Sequence, residues 1–284
     1  FEIATRSAEY PAIDKYGNSL NEDGSIKEGG LAAISEESVN KLVEEAAQKG
    51  YDSLTPAEKT MLKEHANMNS KEEFEIARKY KLDCIEFIFD FNDSERNPLL
   101  KDGGIDEIKS VSNKTGVVVK TICADYLMEA PLHSKNSSIS NESQRVMALL
   151  LESAKQLGIT DIVIPCVDQS TLSNHEAVER FVNKLTPMLK TAKEYNINFS
   201  LETDLNPKSF VKLLDQFNSD CISVNYDIGN SASLGYDSVE ELDAYGEKIT
   251  DIHIKDRKLN GGSVVLGDGD ADFDRFFNKL KEFN

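Results

Sequence analysis

No apolar run in this sequence approaches the ~18 residues that a membrane-spanning helix needs. No charged-then-apolar leader pattern opens it either. Membrane insertion and secretion therefore have no support, and a cytoplasmic protein is expected. The chain begins at Phe1 rather than Met, which suggests a fragment or a processed N-terminus. Positive charge is scarce: 32 Lys and Arg face 50 Asp and Glu, a net charge of −18. Such a surface repels nucleic-acid phosphates and anionic lipid heads. A small anionic ligand stays open if a few basic side chains converge on it. Cysteines are few, namely Cys84, Cys123, Cys166 and Cys221, and none forms a Cys-x-x-Cys pair. Each lies in or beside an apolar run, as in "LDCIEFIF" and "DIVIPCVD". They read as four reduced core thiols, not as a disulfide framework or a zinc site. No G-x-G-x-x-G follows the first clear strand, which weakens a dinucleotide-binding reading. No Ser-His-Asp or Cys-His spacing stands out.

What is present is a rhythm. From about residue 71, apolar strand-like runs occur at 82–90, 117–124, 161–167, 197–203, 221–227 and 249–255. Helical patterns lie between and after them, at 104–113, 141–157, 174–195, 207–218, 238–247 and 271–283. Pro207 after Asn206, and Ser238 before "VEEL", are helix-start signals. Strand–helix alternation in one direction predicts a parallel sheet with crossover helices, either a (β/α)8 barrel or a doubly wound sheet. The earlier residues read differently. Residues 1–17 give a doubtful first strand, and 18–69 a Gly-rich loop followed by two short helices, an appendage to a barrel domain at 70–284.

Three successive strands place polar residues on one face, because side chains alternate along a strand. In "NFSLETD", Phe199 and Leu201 oppose Ser200, Glu202 and Asp204. In "SVNYDIG", Val224 and Tyr226 oppose Asn225 and Asp227. In "TDIHIKDR", Ile252 and Ile254 oppose Asp251, His253 and Lys255. The polar sets sit near the C-terminal strand ends, where barrel sites are built. An ionised carboxylate inside a barrel is costly unless it is paired or meets a cation. Glu202, Asp227 and His253 together suit Mn²⁺, Mg²⁺, Zn²⁺ or Co²⁺ with open positions. The plainer reading, strand-end residues without metal, fits any one of them taken alone. Gly229 and Asn230 are read as a turn after Asp227, with Asn230 also a substrate contact.

The stretches "LETD", "VNYDIGNSASLGYD", "IHIKDR" and "GDGDADF" resemble the sugar phosphate isomerase/epimerase family of xylose-isomerase-like TIM barrels. The likeness spans about 71–284. It implies a divalent metal held by Glu202, Asp227 and His253 on the family's fifth, sixth and seventh strands. The family's fourth ligand comes from an eighth strand, which this sequence does not reach, and the first strand is not recognisable. The barrel is thus expected to be incomplete.

The resemblance implies a metal-dependent isomerase or epimerase that removes a proton alpha to a carbonyl through an enediolate. Glu202 is the candidate base, with a pure ligand role as its alternative. Lys255 is a candidate for a substrate oxygen or phosphate, or an ion-pair partner of Asp251 or Asp204. Arg257, placed in a loop, is a candidate for a bidentate phosphate contact or a solvated arginine. Asp168 lines the pocket or caps a segment, and Glu86, Asp90 and Asp125 offer substrate hydroxyl contacts. His133 is either a lid residue or an ordinary surface histidine. The partner is a small sugar or sugar phosphate, and a homo-oligomer stays open. Two other classes remain: a non-catalytic sugar-binding barrel, and an endonuclease IV-like nuclease, which the acidic charge disfavours.

Overall fold

The computed structural model describes residues 54–55, 70–92 and 94–283. The expected first strand and helical appendage, 1–17 and 18–69, lie outside the described residues but for Leu54 and Thr55. Helix α1 (Ser70–Lys79) leads into strand β1 (Cys84–Ile88), α2 (Gly104–Thr115) and β2 (Val118–Cys123). A single turn, α3 (Tyr126–Glu129), and the long α4 (Ser137–Leu157) follow, then β3 (Asp161–Cys166). Next come α5 (His175–Leu185), α6 (Leu189–Tyr195), β4 (Asn198–Thr203), α7 (Pro207–Leu214) and β5 (Ile222–Asp227). The chain continues through α8 (Ile228–Leu234), α9 (Ser238–Tyr245), β6 (Ile249–His253), a small hairpin of β7 (Asp256–Arg257) and β8 (Ser263–Val264), and α10 (Phe273–Leu280).

Strands β1 to β6 form one sheet in chain order, every pair parallel. Laid flat, the outer strands of six would stand about 24 Å apart at ~4.8 Å per spacing. Yet Glu86 Oε1 on β1 lies 3.0 Å from His253 Nε2 on β6. The sheet is therefore curled into the larger part of a barrel, with Glu86 and His253 meeting across its interior. The expected (β/α) barrel is present in part, with six parallel strands among the described residues.

The outer face is apolar and covered by helices. Phe199 and Leu201 on β4 are fully buried, as are Phe74, Ile108 and Phe181 on the surrounding helices. Tyr226 on β5 stacks on Phe276 of α10, ring centroids 4.8 Å apart. The inner face is polar from the bottom up. Asp161 Oδ1 accepts from Ser200 Oγ (3.0 Å) and Thr250 Oγ1 (2.7 Å), and the Ser200 and Ser223 hydroxyls are 2.7 Å apart. Glu202, Asn225 and Asp227 continue this face toward the strand ends.

Helix boundaries follow local chemistry. Asn206 accepts from Ser209 N, with Pro207 in the first helical position, as the sequence predicts. The expected 174–195 helix divides at Thr186–Met188, because Pro187 interrupts the ladder. The cap before "VEEL" is Asp237, whose Oδ1 accepts from Val239 N and Glu240 N; Ser238 is already helical. Cys123, Cys166 and Cys221 are buried thiols, but Cys84 is exposed, on the edge strand β1.

Candidate metal and acid–base site

Parity and pairing deliver three side chains to one place. Asp227 ends β5, and His253, ending β6, stands opposite it in register. Glu202 lies on the neighbouring β4. One ligand atom from each of Glu202, Asp227 and His253 falls within 4.8 Å of the others. Glu202 and Asp227 are buried, each 7% exposed. A register shift in the β5–β6 pairing sets Val224 opposite Ile249 and Asn225 opposite Asp251, leaving Thr250 as an extra residue. Such a bulge re-aims side chains next to it. Here Thr250 joins the serine cluster below while Asp251 and His253 face the mouth.

Each group has named partners. Glu202 Oε1 accepts from Asn230 Nδ2 at 2.6 Å, and Oε2 from Asn225 Nδ2 at 2.9 Å. Asn225 Nδ2 also lies 3.1 Å from His253 Nδ1, which is 3.7 Å from Glu202 Oε2. Burial and then the Asp227 charge push the Glu202 carboxyl up to about 7, against the weaker pull of His253 and Lys255. Burial works to lower the His253 pKa, but the Glu86 hydrogen bond and the surrounding carboxylates outweigh it, and the value rises to about 9. Asp227 Oδ1 accepts from Asn230 N at 2.7 Å, while Oδ2 faces Lys255 Nζ at 3.7 Å.

The expected turn after Asp227 is instead the short helix α8, with Asp227 as its N-cap. Gly229 is helical; a Cβ there would come within 2.9 Å of the Lys255 carbonyl, so its smallness lets α8 sit on the irregular segment that follows β6. Asn230, in the first turn, is a hub. It touches Asp227 and Glu202, and its Oδ1 accepts from Arg257 Nη1 at 2.9 Å, with Lys255 Nζ 3.4 Å away. Lys255 thus pairs with Asp227, not with Asp251 or Asp204. Arg257 belongs to the β7–β8 hairpin rather than a free loop, and its Nε donates to Gly261 O at 3.1 Å.

Glu86 is engaged by His253 Nε2 and accepts from Thr121 Oγ1 at 2.7 Å. Asp251 stands beside these two, within 4.8 Å ligand atom to ligand atom. Asp168 begins a turn after β3 with φ 49° and lines a cavity at the mouth with Arg257. Asp125 accepts from Cys123 Sγ, and burial raises its pKa, with Asp90 and Glu86 adding to the rise. His133 is neither an exposed surface residue nor open to the site: its ring packs edge-on to Phe181, and burial lowers its pKa. His175 lies on the surface beside Glu179.

Two residues escaped the sequence reading. Asn225 shares the inward parity, yet its role as the amide between Glu202 and His253 has no local signal. Asp256 is 1% exposed and accepts from Gly267 N and Gly269 N at 2.8 Å and Ala271 N at 3.2 Å. It folds "GDGDADF" back beside the mouth; a Cβ on Gly269 would come within 1.8 Å of Asp256 Oδ1.

A curled parallel sheet carrying two buried carboxylates and an imidazole at the C-terminal strand ends defines a TIM-barrel enzyme-type site. Residues 74–284 match the xylose isomerase-like TIM barrel family, and the chain belongs to it. Among its relatives is an L-ribulose-5-phosphate 3-epimerase UlaE of Escherichia coli O1:K1, 26% identical over 221 residues, 74% of this chain and 77% of the relative. A protein of the same name from Salmonella typhi is 28% identical over 176 residues, 60% and 62% of the two chains. Among solved structures, the IOLI protein with a binding zinc atom shares 21% identity at a TM-score of 0.61, covering 76% of this chain and 81% of that one. A D-tagatose 3-epimerase-like protein shares 18% identity at a TM-score of 0.61, with 73% and 80% covered. These two structures support the fold. No described helix is long and apolar enough to cross a membrane.

Proposed function

We propose that this chain is a metal-dependent epimerase or isomerase of a ketose or ketose phosphate. The observation that carries the reading is the convergence of Glu202, Asp227 and His253 within 4.8 Å on three adjacent strands. The donor set fits a divalent ion. Two buried carboxylates face each other, and burial first and the Asp227 charge second raise the Glu202 pKa despite His253 and Lys255 nearby. With His253 neutral, its Nε2–H donates to Glu86 and the Nδ1 lone pair faces Glu202, the arrangement by which a carboxylate orients a metal-binding imidazole. When bound, a divalent cation there supplies Lewis-acid stabilisation of the enediolate charge.

The rest of the chemistry belongs to the chain. Glu202 Oε2 lies on the His253 side, while Oε1 lies on the Asn230 side, next to the mouth cavity. Oε2 is assigned to the ligand set and Oε1 to the proton. Asn225 and Asn230 hold the carboxylate by its two oxygens, so its orientation costs nothing further at the moment of transfer. Glu202 takes the proton alpha to the carbonyl, a step worth ~10²–10⁴-fold. Delivery of that proton by Glu202 to the neighbouring carbon on the same face, with a hydroxyl proton passing between the two oxygens, gives aldose–ketose isomerisation; epimerisation returns a proton to the original carbon and requires a second acid on the opposite face. The test is proton NMR of the Mn²⁺-loaded protein with a panel of ketoses in D₂O. Deuterium should enter alpha to the carbonyl in the wild type and at least ~100-fold more slowly in Glu202→Gln. No wash-in with any ketose would leave a sugar-binding barrel without this chemistry.

A further inference from the structure

Beside the carboxylate–imidazole cluster the mouth holds a cavity of about 270 Å³. Its polar wall is Asp168, Asp204, Asn230, Ser233, Arg257 and Asn260. Asn230 is the shared partition, donating to Glu202 Oε1 on one side and accepting from Arg257 on the other. A ketose with its reacting carbon at Glu202 therefore extends its far end into this cavity. The volume is just under the ~300 Å³ at which pockets for drug-sized ligands begin, a size for the tail of a small sugar.

The charges on this wall decide what the tail is. Two carboxylates, Asp168 and Asp204, stand against one guanidinium, Arg257. That guanidinium is already committed through Nε to Gly261 O and through Nη1 to Asn230 Oδ1. The other cation of the mouth, Lys255, does not line the cavity; its Nζ stands behind the Asn230 partition, 3.4 Å from Asn230 Oδ1 and 3.7 Å from Asp227 Oδ2. Asp204 is held by Thr171 Oγ1 at 2.6 Å, and burial, with the Asp168 charge adding to it, raises its pKa. A phosphate monoester near neutral pH brings about 1.5–2 negative charges. It would meet two carboxylates against a single guanidinium, two of whose five N–H groups are already engaged. A polyol end meets acceptors for its hydroxyl hydrogens in both aspartates and in Ser233 Oγ, whose own hydrogen goes to Asn230 O, and a donor in the Asn260 amide. Asp168 and Asn260 also hold left-handed backbone, φ 49° and 54°, although neither is glycine. Two such residues on one cavity are a local strain of the kind found at ligand clamps.

We propose that this cavity receives the uncharged polyol tail of a free ketose, and that Asp168 and Asp204 turn away the corresponding phosphate ester. The inference rests on the ketose reading of the Glu202 site and narrows its substrate class. The test is calorimetric titration of the Mn²⁺-loaded full chain with L-ribulose and D-fructose, each against its own terminal phosphate ester, with turnover followed in parallel. The free sugar should bind at least ~10-fold more tightly than its ester. The Asp168→Asn/Asp204→Asn variant should lose at least ~10-fold of that preference, because neutral amides no longer repel phosphate. An ester that binds the wild type as tightly as the free sugar overturns the proposal, and so does a preference that the double variant leaves unmoved. If esters are turned over and preferred, this proposal fails while the isomerase or epimerase reading stands. If no ketose, free or phosphorylated, is bound or turned over, both fail.

Discussion

Replacing Asp227 with asparagine separates the two jobs its carboxylate has in the structure. Oδ1 caps α8 by accepting from Asn230 N at 2.7 Å, and the carboxylate also completes the cluster with Glu202 and His253. Asparagine caps a helix about as well as aspartate, so Asp227→Asn leaves the cap in place and removes only the charge. If the cap were the whole role, the variant would match the wild type in every assay. Alanine would then cost ~1 kcal/mol of stability through the lost cap. If the carboxylate is a ligand, a charged oxygen donor to a hard cation is gone. Metal affinity falls at least ~10-fold, about 1.4 kcal/mol. Stability without metal gives the internal control. The variant loses a half-exposed pairing with Lys255, worth at most ~1 kcal/mol in solvent. It also loses the repulsion that helps hold the Glu202 pKa at about 7. The two changes oppose, so the chelator-treated variant should unfold within ~1 kcal/mol of the wild type. The assay is Mn²⁺ titration by calorimetry, then urea unfolding in chelator, for wild type, Asp227→Asn and Asp227→Ala. Equal metal affinity in wild type and Asp227→Asn refutes the ligand assignment and leaves Asp227 a cap.

Three further outcomes are expected. Glu86→Gln removes the group that raises His253, so the His253 titration, followed by NMR in chelator, should drop from about 9 by at least ~1 unit. Above pH ~9, where protons no longer compete, metal affinity of that variant should fall ~10-fold for want of an oriented imidazole. The metal-free protein should lose stability steadily as pH rises. Glu202, raised to about 7, holds a proton in the folded state that the unfolded chain releases near 4.5; His253, raised to about 9, contributes fully below 6.5 and loses its contribution through 9. Urea midpoints in chelator from pH ~5 to ~9 check this, and added Mn²⁺ should reverse the trend because it displaces those protons. Asp256 has the opposite sign. Burial raises its pKa, but the backbone N–H groups of Gly269, Ala271 and Gly267 prevail and lower it below 3.8, so its contribution is present at neutral pH and is lost as acid titrates it. Asp256→Asn should cost ~1.5–3 kcal/mol at neutral pH, with the gap to wild type closing as the pH falls.

The strands of the barrel and the inward set of the site were legible because alternation is local. Phe199 and Leu201 against Ser200 and Glu202 is a statement about four neighbouring residues, and the sheet obeys it. The same logic carried Asp227 and His253, since each ends a strand and their register agrees. It could not carry Glu86. That residue reaches His253 only because six strands curl, and curl is a property of the assembled sheet. Nor does any pattern announce the extra residue at Thr250, which a parity count along "TDIHIKDR" passes over.

Asn230 shows where local propensity misleads. By composition, Asp-Ile-Gly-Asn reads as a turn, since each of its polar residues favours one. The folded chain instead uses the same three properties separately. The Asp227 side chain caps a helix, Gly229 admits the backbone of Lys255, and the Asn230 amide joins Glu202 to Arg257. An amide suits that position because it donates and accepts at once and does not titrate. A carboxylate at 230 would put a third negative charge against Glu202 and Asp227, and a lysine there would satisfy Glu202 but leave Arg257 without its acceptor. The residue is thus fixed by its neighbours on both sides, base on one and cavity on the other, and a turn requirement would have been met by glycine or aspartate equally well.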